Sequence, residues 1–180
     1  MRRAAHGDDK TESITLRVEK GVLDKLRQEA KRNMKSVNIL GNQIFKFYVN
    51  WHSVAIDAGF VYIDKRNLSR LADKLTEEQI DQILDEYFQN EFIGRIKMLT
   101  GNTGIAQFLR AMEGWMQGSG LPYRHVINNN GVQMYVIQHD MGKNAAYYIM
   151  NYFKRSLEYM KAKNVEVKST SDTLWVEFMV

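Results

Sequence analysis

The sequence contains no cysteine and a single proline among its 180 residues. The absence of cysteine excludes disulfides, thiol catalysis and every cysteine-ligated metal site, and it is typical of cytosolic proteins. No apolar run approaches the ~18 residues of a membrane span, and the N-terminal residues MRRAAHGDDK lack the apolar core of a signal peptide. With 44% apolar and 26% charged residues, the chain is expected to fold, to be cytoplasmic and to have no membrane segment.

Excess positive charge is confined to the first third of the chain. Residues 1–57 contain 11 Lys and Arg against 7 Asp and Glu, whereas residues 58–180 contain 14 of each. This asymmetry predicts that the front segment meets a polyanion. Residues 1–11 are polar without periodicity and are expected to form a flexible arm, in which Arg2, Arg3 and Lys10 are candidates for loose phosphate contacts.

A short segment near the N-terminus, SITLRV (residues 13–18), alternates polar and apolar residues and predicts a half-buried strand. A lone strand leaves its backbone N–H and C=O groups unpaired, and no second strand lies nearby in sequence. Two chains could pair these strands antiparallel across a two-fold axis. The apolar face would then cover a core made by four helices, and the polar face would point outward.

Two helices are predicted after this strand. The first begins near Lys20 with the apolar spacing of LDKLRQEA, and Ser36 is a good N-cap for the second, which is expected to continue to about Ala58. The second helix carries more apolar surface than a two-helix fragment can bury alone. Its main stripe is formed by Val37, Leu40, Ile44, Tyr48 and Trp51.

These features in order (SITLRV, LDKLRQEA, KSVN and LGNQIFKFYV) resemble the ribbon-helix-helix DNA-binding family, which includes the Arc and Met repressors, over residues 13–51. The resemblance implies an intertwined β-α-α dimer whose strands enter the major groove. It implies base reading by Ser13, Thr15 and Arg17, and phosphate binding at the start of the second helix by Lys35, Ser36, Val37 and Asn38. Met34 and Gly21 depart from the family's pattern, since glycine is common at the first position and proline or aspartate at the second.

The remaining residues predict an α+β domain. Helical spacing dominates residues 64–118, and two strand-like segments, 123–127 and 132–138, flank a turn that closes with Asn130-Gly131. A helix over about 143–163 and strands over 165–168 and 174–178 complete the order helices, then β-β-α-β-β. The expected organisation is therefore an arm (1–11), a ribbon-helix-helix DNA-binding and dimerisation domain (12–58) and an α+β effector or oligomerisation domain (59–180).

One junction in this larger domain is a candidate ligand site. His139, Gly142 and Lys143 end a strand and open a helix, where free N–H groups can hold an anion, although an ordinary strand-to-helix turn explains the same residues. The layout is similar in outline to nickel-responsive regulators, whose histidine-rich site is completed by a cysteine. This chain has no cysteine and offers only His125 and His139 in the region, so neither a metal nor a cofactor is predicted.

Together these features predict a sequence-specific, double-stranded DNA-binding transcriptional regulator, a prokaryotic repressor that is homodimeric or tetrameric. Its C-terminal domain is expected to sense a small molecule, to meet a protein effector or to oligomerise. The alternative is an antitoxin-like or architectural DNA-binding protein whose C-terminal domain binds a protein partner. The sequence does not predict an enzyme, because no phosphate-binding loop, Ser-His-Asp order or paired-carboxylate pattern stands out.

Overall fold

The computed structural model describes residues 11–180. Almost all of the predicted arm, with Arg2, Arg3 and Lys10, therefore lies outside the described residues. The chain divides into two compact units, an N-terminal unit that ends at Ile44 and a C-terminal unit that spans Phe45–Val180. Among residues 11–180, no helix combines the length and apolar character that crossing a membrane would require.

Helices dominate the first two thirds of the described chain, and strands appear only near its end. In chain order the elements are α1 (Lys20–Arg32), α2 (Val37–Phe47), a π-helical turn (Tyr48–His52), α3 (Ser53–Asp57), α4 (Lys65–Ala72), α5 (Glu77–Asn90), α6 (Phe92–Thr100), α7 (Ile105–Gly118), β1 (Tyr123–Ile127), β2 (Val132–Gln138), α8 (Lys143–Tyr159), β3 (Lys163–Ser169) and β4 (Thr173–Met179).

The predicted fold class is wrong at the N-terminus. Residues 13–18 form no strand, and the first strand of the described chain begins at Tyr123, so the structure contains no N-terminal ribbon and no intertwined β-α-α domain. The physical reason is that alternation of polar and apolar side chains produces a strand only where a neighbouring backbone pairs with it. Among residues 11–180 of one chain, no strand lies beside residues 13–18 to pair with them.

The two helices that follow this segment begin close to where the sequence places them. Helix α1 starts at Lys20, and α2 starts at Val37 after a turn in which Met34 adopts a left-handed conformation with φ of 52°. The predicted cap is confirmed, because the Ile39 N–H donates to Ser36 Oγ at 3.2 Å.

The C-terminal unit is built on a four-stranded antiparallel sheet with the order β1-β2-β4-β3. Alternate residues of the central strands, among them Tyr135, Ile137 and Val176, are fully buried, and α8 packs on β3 and β4. Helices α5, α6 and α7 contribute further large core side chains. These include Ile80, Leu84, Phe92, Ile96, Phe108 and Met116.

Candidate functional site

The residues predicted to read bases lie on an exposed segment without regular secondary structure. Ser13, Thr15 and Arg17 are all exposed. The apolar residues between them are exposed as well, with Ile14 74%, Leu16 52% and Val18 41% accessible. Both sets of side chains therefore face solvent in the single chain. Exposure of the apolar set is unfavourable, because burying apolar surface stabilises a protein by about 25 cal/mol per Å².

The N-terminal unit has almost no core of its own. Ala30 is the only buried residue among residues 11–44. The larger side chains on the inner faces of the two helices, such as Leu23, Leu26 and Leu40, are only half-buried. Several large apolar side chains close together in sequence are therefore exposed, which is typical of surfaces that bind another molecule.

The residues predicted to bind phosphate lie together at the start of α2. Lys35 and Ser36 precede the helix, and Val37 and Asn38 open its first turn. The first N–H groups of a helix have no partner within the helix, so they and the helix dipole favour an anion at this end. The Lys35 Nζ atom lies 3.1 Å from Gln43 Oε1, which holds this ammonium group beside α2.

Acidic side chains of α1 are occupied by neighbours on the same helix. Asp24 pairs with Arg27 at 3.1 Å, and Glu29 pairs with Arg32 at 2.6 Å. A hydrogen bond from Asn33, helped by Arg32, lowers the pKa of Glu29. Lys20, Lys25 and Lys31 take part in none of the ion pairs found among residues 11–180, so they leave α1 with exposed positive charge.

The residues predicted to hold an anionic ligand lie together at the β2–α8 junction, but His139 is completely buried there. Its backbone N–H donates to the Asp172 carbonyl at 2.8 Å, and its Nδ1 accepts the Met141 N–H at 3.2 Å. Burial lowers the pKa of His139, while the nearby carboxylates of Asp172 and Asp140 act in the opposite direction. Its Nε2 atom has no hydrogen-bond partner among residues 11–180.

Other protein groups surround the same end of α8. Lys143 Nζ lies 3.4 Å from Glu77 Oε1, and Asn144 Nδ2 donates to the Leu75 carbonyl at 2.9 Å. Gly142, the N-cap with φ of 81°, lies so close to α4 that an added Cβ would be 3.8 Å from Asp73 Oδ1. A carboxylate thus already lies near the positive end of the helix, and anion binding by His139, Gly142 and Lys143 stays a prediction.

The other histidine considered for a metal belongs to a polar cluster on the sheet. His125 stacks on Tyr135 with ring centroids 4.0 Å apart, and both side chains reach Glu113 Oε1, at 3.3 Å from His125 Nδ1 and 2.8 Å from the Tyr135 hydroxyl. His125 Nε2 also lies 2.7 Å from Gln133 Oε1. In the described part of the chain, no group of three or more histidine or carboxylate side chains is placed to hold a metal ion.

Sequence reasoning missed a cavity of about 400 Å³ in the C-terminal unit. Its lining comes from six separate stretches of the chain. The lining residues are Trp51, Gly59, Phe60, Val61, Tyr87, Arg95, Ile96, Leu99, Phe108, Ala111, Met112, Trp115, Tyr148, Ile149, Tyr152 and Phe153. The aromatic residues of these helices are the feature of the sequence that could have indicated a cavity. Aromatic residues occur equally in a filled core, so they do not distinguish the two.

Comparison of the chain with protein-family models, with curated proteins and with solved structures finds no match.

Proposed function

We propose that this protein is a homodimeric transcriptional regulator that binds double-stranded DNA through its N-terminal residues 12–58. The observation that carries the proposal is the exposed segment 13–18, on which Ser13, Thr15 and Arg17 alternate with three exposed apolar side chains. The polar side chains can form hydrogen bonds with base edges, and the apolar side chains can be buried against a protein surface. The resemblance of residues 13–51 to DNA-binding proteins supports the same assignment.

A second copy of the chain is the partner assigned to the apolar set. Ile14, Leu16 and Val18 are exposed, and Ala30 is the only buried residue among residues 11–44. Covering these side chains in a dimer removes apolar area from water, which drives association. A symmetric dimer presents two equal sets of reading residues, so its DNA site is expected to be an inverted repeat.

The three polar side chains suit different base edges. The Arg17 guanidinium can donate two hydrogen bonds to guanine O6 and N7, and Thr15 can contact a thymine methyl or exchange hydrogen bonds through its hydroxyl. Ser13 can donate to or accept from either purine or pyrimidine edges. All three are exposed, and none of their side chains makes a hydrogen bond or ion pair within residues 11–180 that would have to break before it reaches DNA.

Phosphate contacts supply the sequence-independent part of binding. The start of α2 offers backbone N–H groups at Val37 and Asn38, with Lys35 and Ser36 beside them. The excess of Lys and Arg over Asp and Glu in residues 1–57 also favours binding to DNA phosphates. Because each neutralised phosphate releases counterions, affinity is expected to fall steeply as salt rises.

The proposed regulator is cytoplasmic and prokaryotic and acts as a repressor, and its residues 59–180 sense a ligand, bind a partner or add oligomeric contacts. These assignments follow the resemblance at the N-terminus and the folded character of the C-terminal unit, whose core is extensive. Control of DNA affinity by a second domain requires that an effector bind two states of the protein with different affinities.

The test is a selection from random duplex DNA by the purified full chain at near-physiological salt. An enriched inverted repeat that is lost when Thr15 and Arg17 are both replaced by alanine supports the proposal. The matched control replaces Arg110, an exposed arginine on α7, by alanine and is expected to leave the enriched sequence unchanged. Enrichment that survives the Thr15→Ala, Arg17→Ala change contradicts base reading, and binding without enrichment indicates an architectural protein instead.

A further inference from the structure

The cavity in the C-terminal unit has the size and lining of a small-molecule site. Its volume of about 400 Å³ lies within the range of roughly 300–1,000 Å³ that ligand pockets occupy. The cavity opens to solvent where Phe60, Val61 and Tyr148 are exposed, whereas its lining residues Ile96, Phe108 and Phe153 are buried. A ligand can therefore enter from solvent and cover apolar side chains.

The lining is aromatic to an unusual degree. Eight of its sixteen residues are tryptophan, tyrosine or phenylalanine, and none is acidic or a histidine. Such rings offer flat apolar faces that stack with another ring or meet its edge. The lining residues include Trp51 from the π-helical turn, Phe108 and Trp115 from α7, and Tyr148 and Tyr152 from α8.

The one charged lining side chain is already satisfied within the protein. Arg95 Nη2 lies 2.8 Å from Glu91 Oε2, and Arg95 Nη1 donates to the Ala58 carbonyl. Its positive charge is therefore balanced by Glu91, one helical turn away on the same side. A ligand carboxylate or phosphate would lose its hydration here without gaining a free cation, which makes an anion a poor occupant.

Tyr87, Tyr148 and Tyr152 contribute hydroxyl groups to the lining. Burial raises the pKa of all three tyrosines, that of Tyr152 most clearly, so these phenols stay protonated. The Tyr87 and Tyr152 hydroxyls are close enough to interact with each other, so the Tyr152 hydroxyl can hydrogen-bond to Tyr87 or to a ligand. An apolar wall with a small number of neutral donors is suited to a ring system that carries a hydroxyl or carbonyl group.

We infer that this cavity binds an uncharged, mainly aromatic small molecule, with the Tyr152 hydroxyl as a hydrogen-bonding partner. The site is separate from the junction of His139, Gly142 and Lys143, none of which lines the cavity. The inference does not rest on DNA binding, because it concerns only side chains of the C-terminal unit. It assigns that unit a ligand class that the sequence did not indicate.

The experiment titrates the full chain by isothermal calorimetry with two probes that share the naphthalene ring, 2-naphthol and 2-naphthoate. Saturable binding of 2-naphthol with one site per chain is expected, and 2-naphthoate should bind roughly tenfold or more weakly because its carboxylate must be desolvated. Absence of 2-naphthol binding up to its solubility overturns the inference. Equal or tighter binding of 2-naphthoate overturns the assignment of an uncharged ligand.

Two variants locate the binding event. Ala111→Leu adds side-chain volume at a lining position and should abolish 2-naphthol binding, whereas Ala106→Leu, exposed on the same helix and outside the cavity, should preserve it. Tyr152→Phe keeps the ring and should weaken binding roughly 2–10-fold through loss of one hydrogen bond. Tyr159→Phe is its control, because Tyr159 does not line the cavity.

The second pair keeps the test decisive if Ala111→Leu fails to fold, since Tyr152→Phe removes a single oxygen. Circular dichroism melts on every variant separate loss of binding from loss of structure. Wild-type affinity in both Ala111→Leu and Tyr152→Phe would place the bound naphthol elsewhere and overturn the inference.

Discussion

The indole of Trp51 lies directly on the backbone of Gly114 in α7. A Cβ atom added to Gly114 would be 2.5 Å from Trp51 Cε3, and one added to Gly118, a turn later, would be 2.5 Å from Trp51 Nε1. The two glycines thus form a flat patch on α7 that accepts the tryptophan, which is only 7% exposed. Side chains at either position would displace a residue that lines the cavity.

Gly114→Ala is therefore expected to destabilise the protein by about 1–3 kcal/mol through overpacking against Trp51. The change is informative because alanine is favoured over glycine in a helix interior by about 1 kcal/mol. Urea denaturation followed by circular dichroism measures the difference. The control is Gly94→Ala in α6, where no atom lies within 4 Å of the added Cβ and a gain of about 0.5–1 kcal/mol is expected. If Gly114→Ala raised the free energy of unfolding as much as Gly94→Ala, the close packing of Trp51 on Gly114 would be wrong.

Acidification should destabilise the fold through His139. Its pKa is lowered by burial, whereas in the unfolded chain it titrates near the ordinary value of about 6.5. As pH falls below about 6.5, the unfolded state binds a proton that the folded state does not, so the free energy of unfolding decreases by up to about 1.4 kcal/mol per pH unit. Denaturation curves between pH 8 and about 5 measure this slope. His139→Gln, which cannot titrate, should flatten it, and an unchanged slope would show that His139 does not cause the pH dependence.

The proposed dimer predicts that Leu16→Ser shifts the protein toward monomer. Leu16 is exposed in the single chain, so the substitution removes apolar surface that only a second copy would cover. Sedimentation equilibrium over a range of concentrations measures the dissociation constant, which should rise by roughly tenfold or more for the loss of a buried leucine. Val61→Ser, at an exposed position of the C-terminal unit, is the control. A Leu16→Ser protein that dimerises as well as the wild type would remove this segment from the interface.

Lys35→Ala should weaken DNA binding without changing sequence preference. Lys35 lies at the start of α2 with its Nζ atom held beside Gln43, where it is expected to meet a phosphate. Loss of one phosphate contact lowers affinity similarly for all sequences and reduces the slope of log affinity against log salt by about 1. Fluorescence anisotropy at several salt concentrations gives this slope. The control is Lys97→Ala, an exposed lysine on α6, and an equal change in both variants would refute a specific phosphate contact.

Local sequence signals predicted the C-terminal unit well. Thr76 and Gln79, three residues apart, form a capping box at the start of α5, with the Gln79 N–H donating to Thr76 Oγ1 at 3.3 Å and the Thr76 N–H to Gln79 Oε1 at 2.9 Å. The turn between β1 and β2 is also where the sequence placed it, with Asn128 Oδ1 accepting the Val132 N–H and Gly131 at φ of 77°. Caps and tight turns involve residues a few positions apart, so their chemistry is visible in the sequence.

Features that depend on distant residues could not be predicted. The strand expected at residues 13–18 is absent because no strand among residues 11–180 pairs with this segment. The cavity was missed because Trp51, Phe108 and Tyr152 lie far apart in sequence and are brought together only by packing. Likewise, the sequence around His139 does not show that the His139 backbone N–H donates to the carbonyl of Asp172, which lies in the loop before β4.

The most direct test of DNA reading uses Arg17. Anisotropy titrations compare wild type, Arg17→Ala and the control Arg110→Ala on the selected duplex and on duplexes changed at one base pair of each half-site. The account predicts that Arg17→Ala loses about 1–3 kcal/mol of binding free energy on the selected duplex. The variant should also bind equally well whichever base pair occupies one position of each half-site. If Arg17→Ala retains the wild-type preference at every base pair, residues 13–18 do not read DNA and the proposed function is wrong.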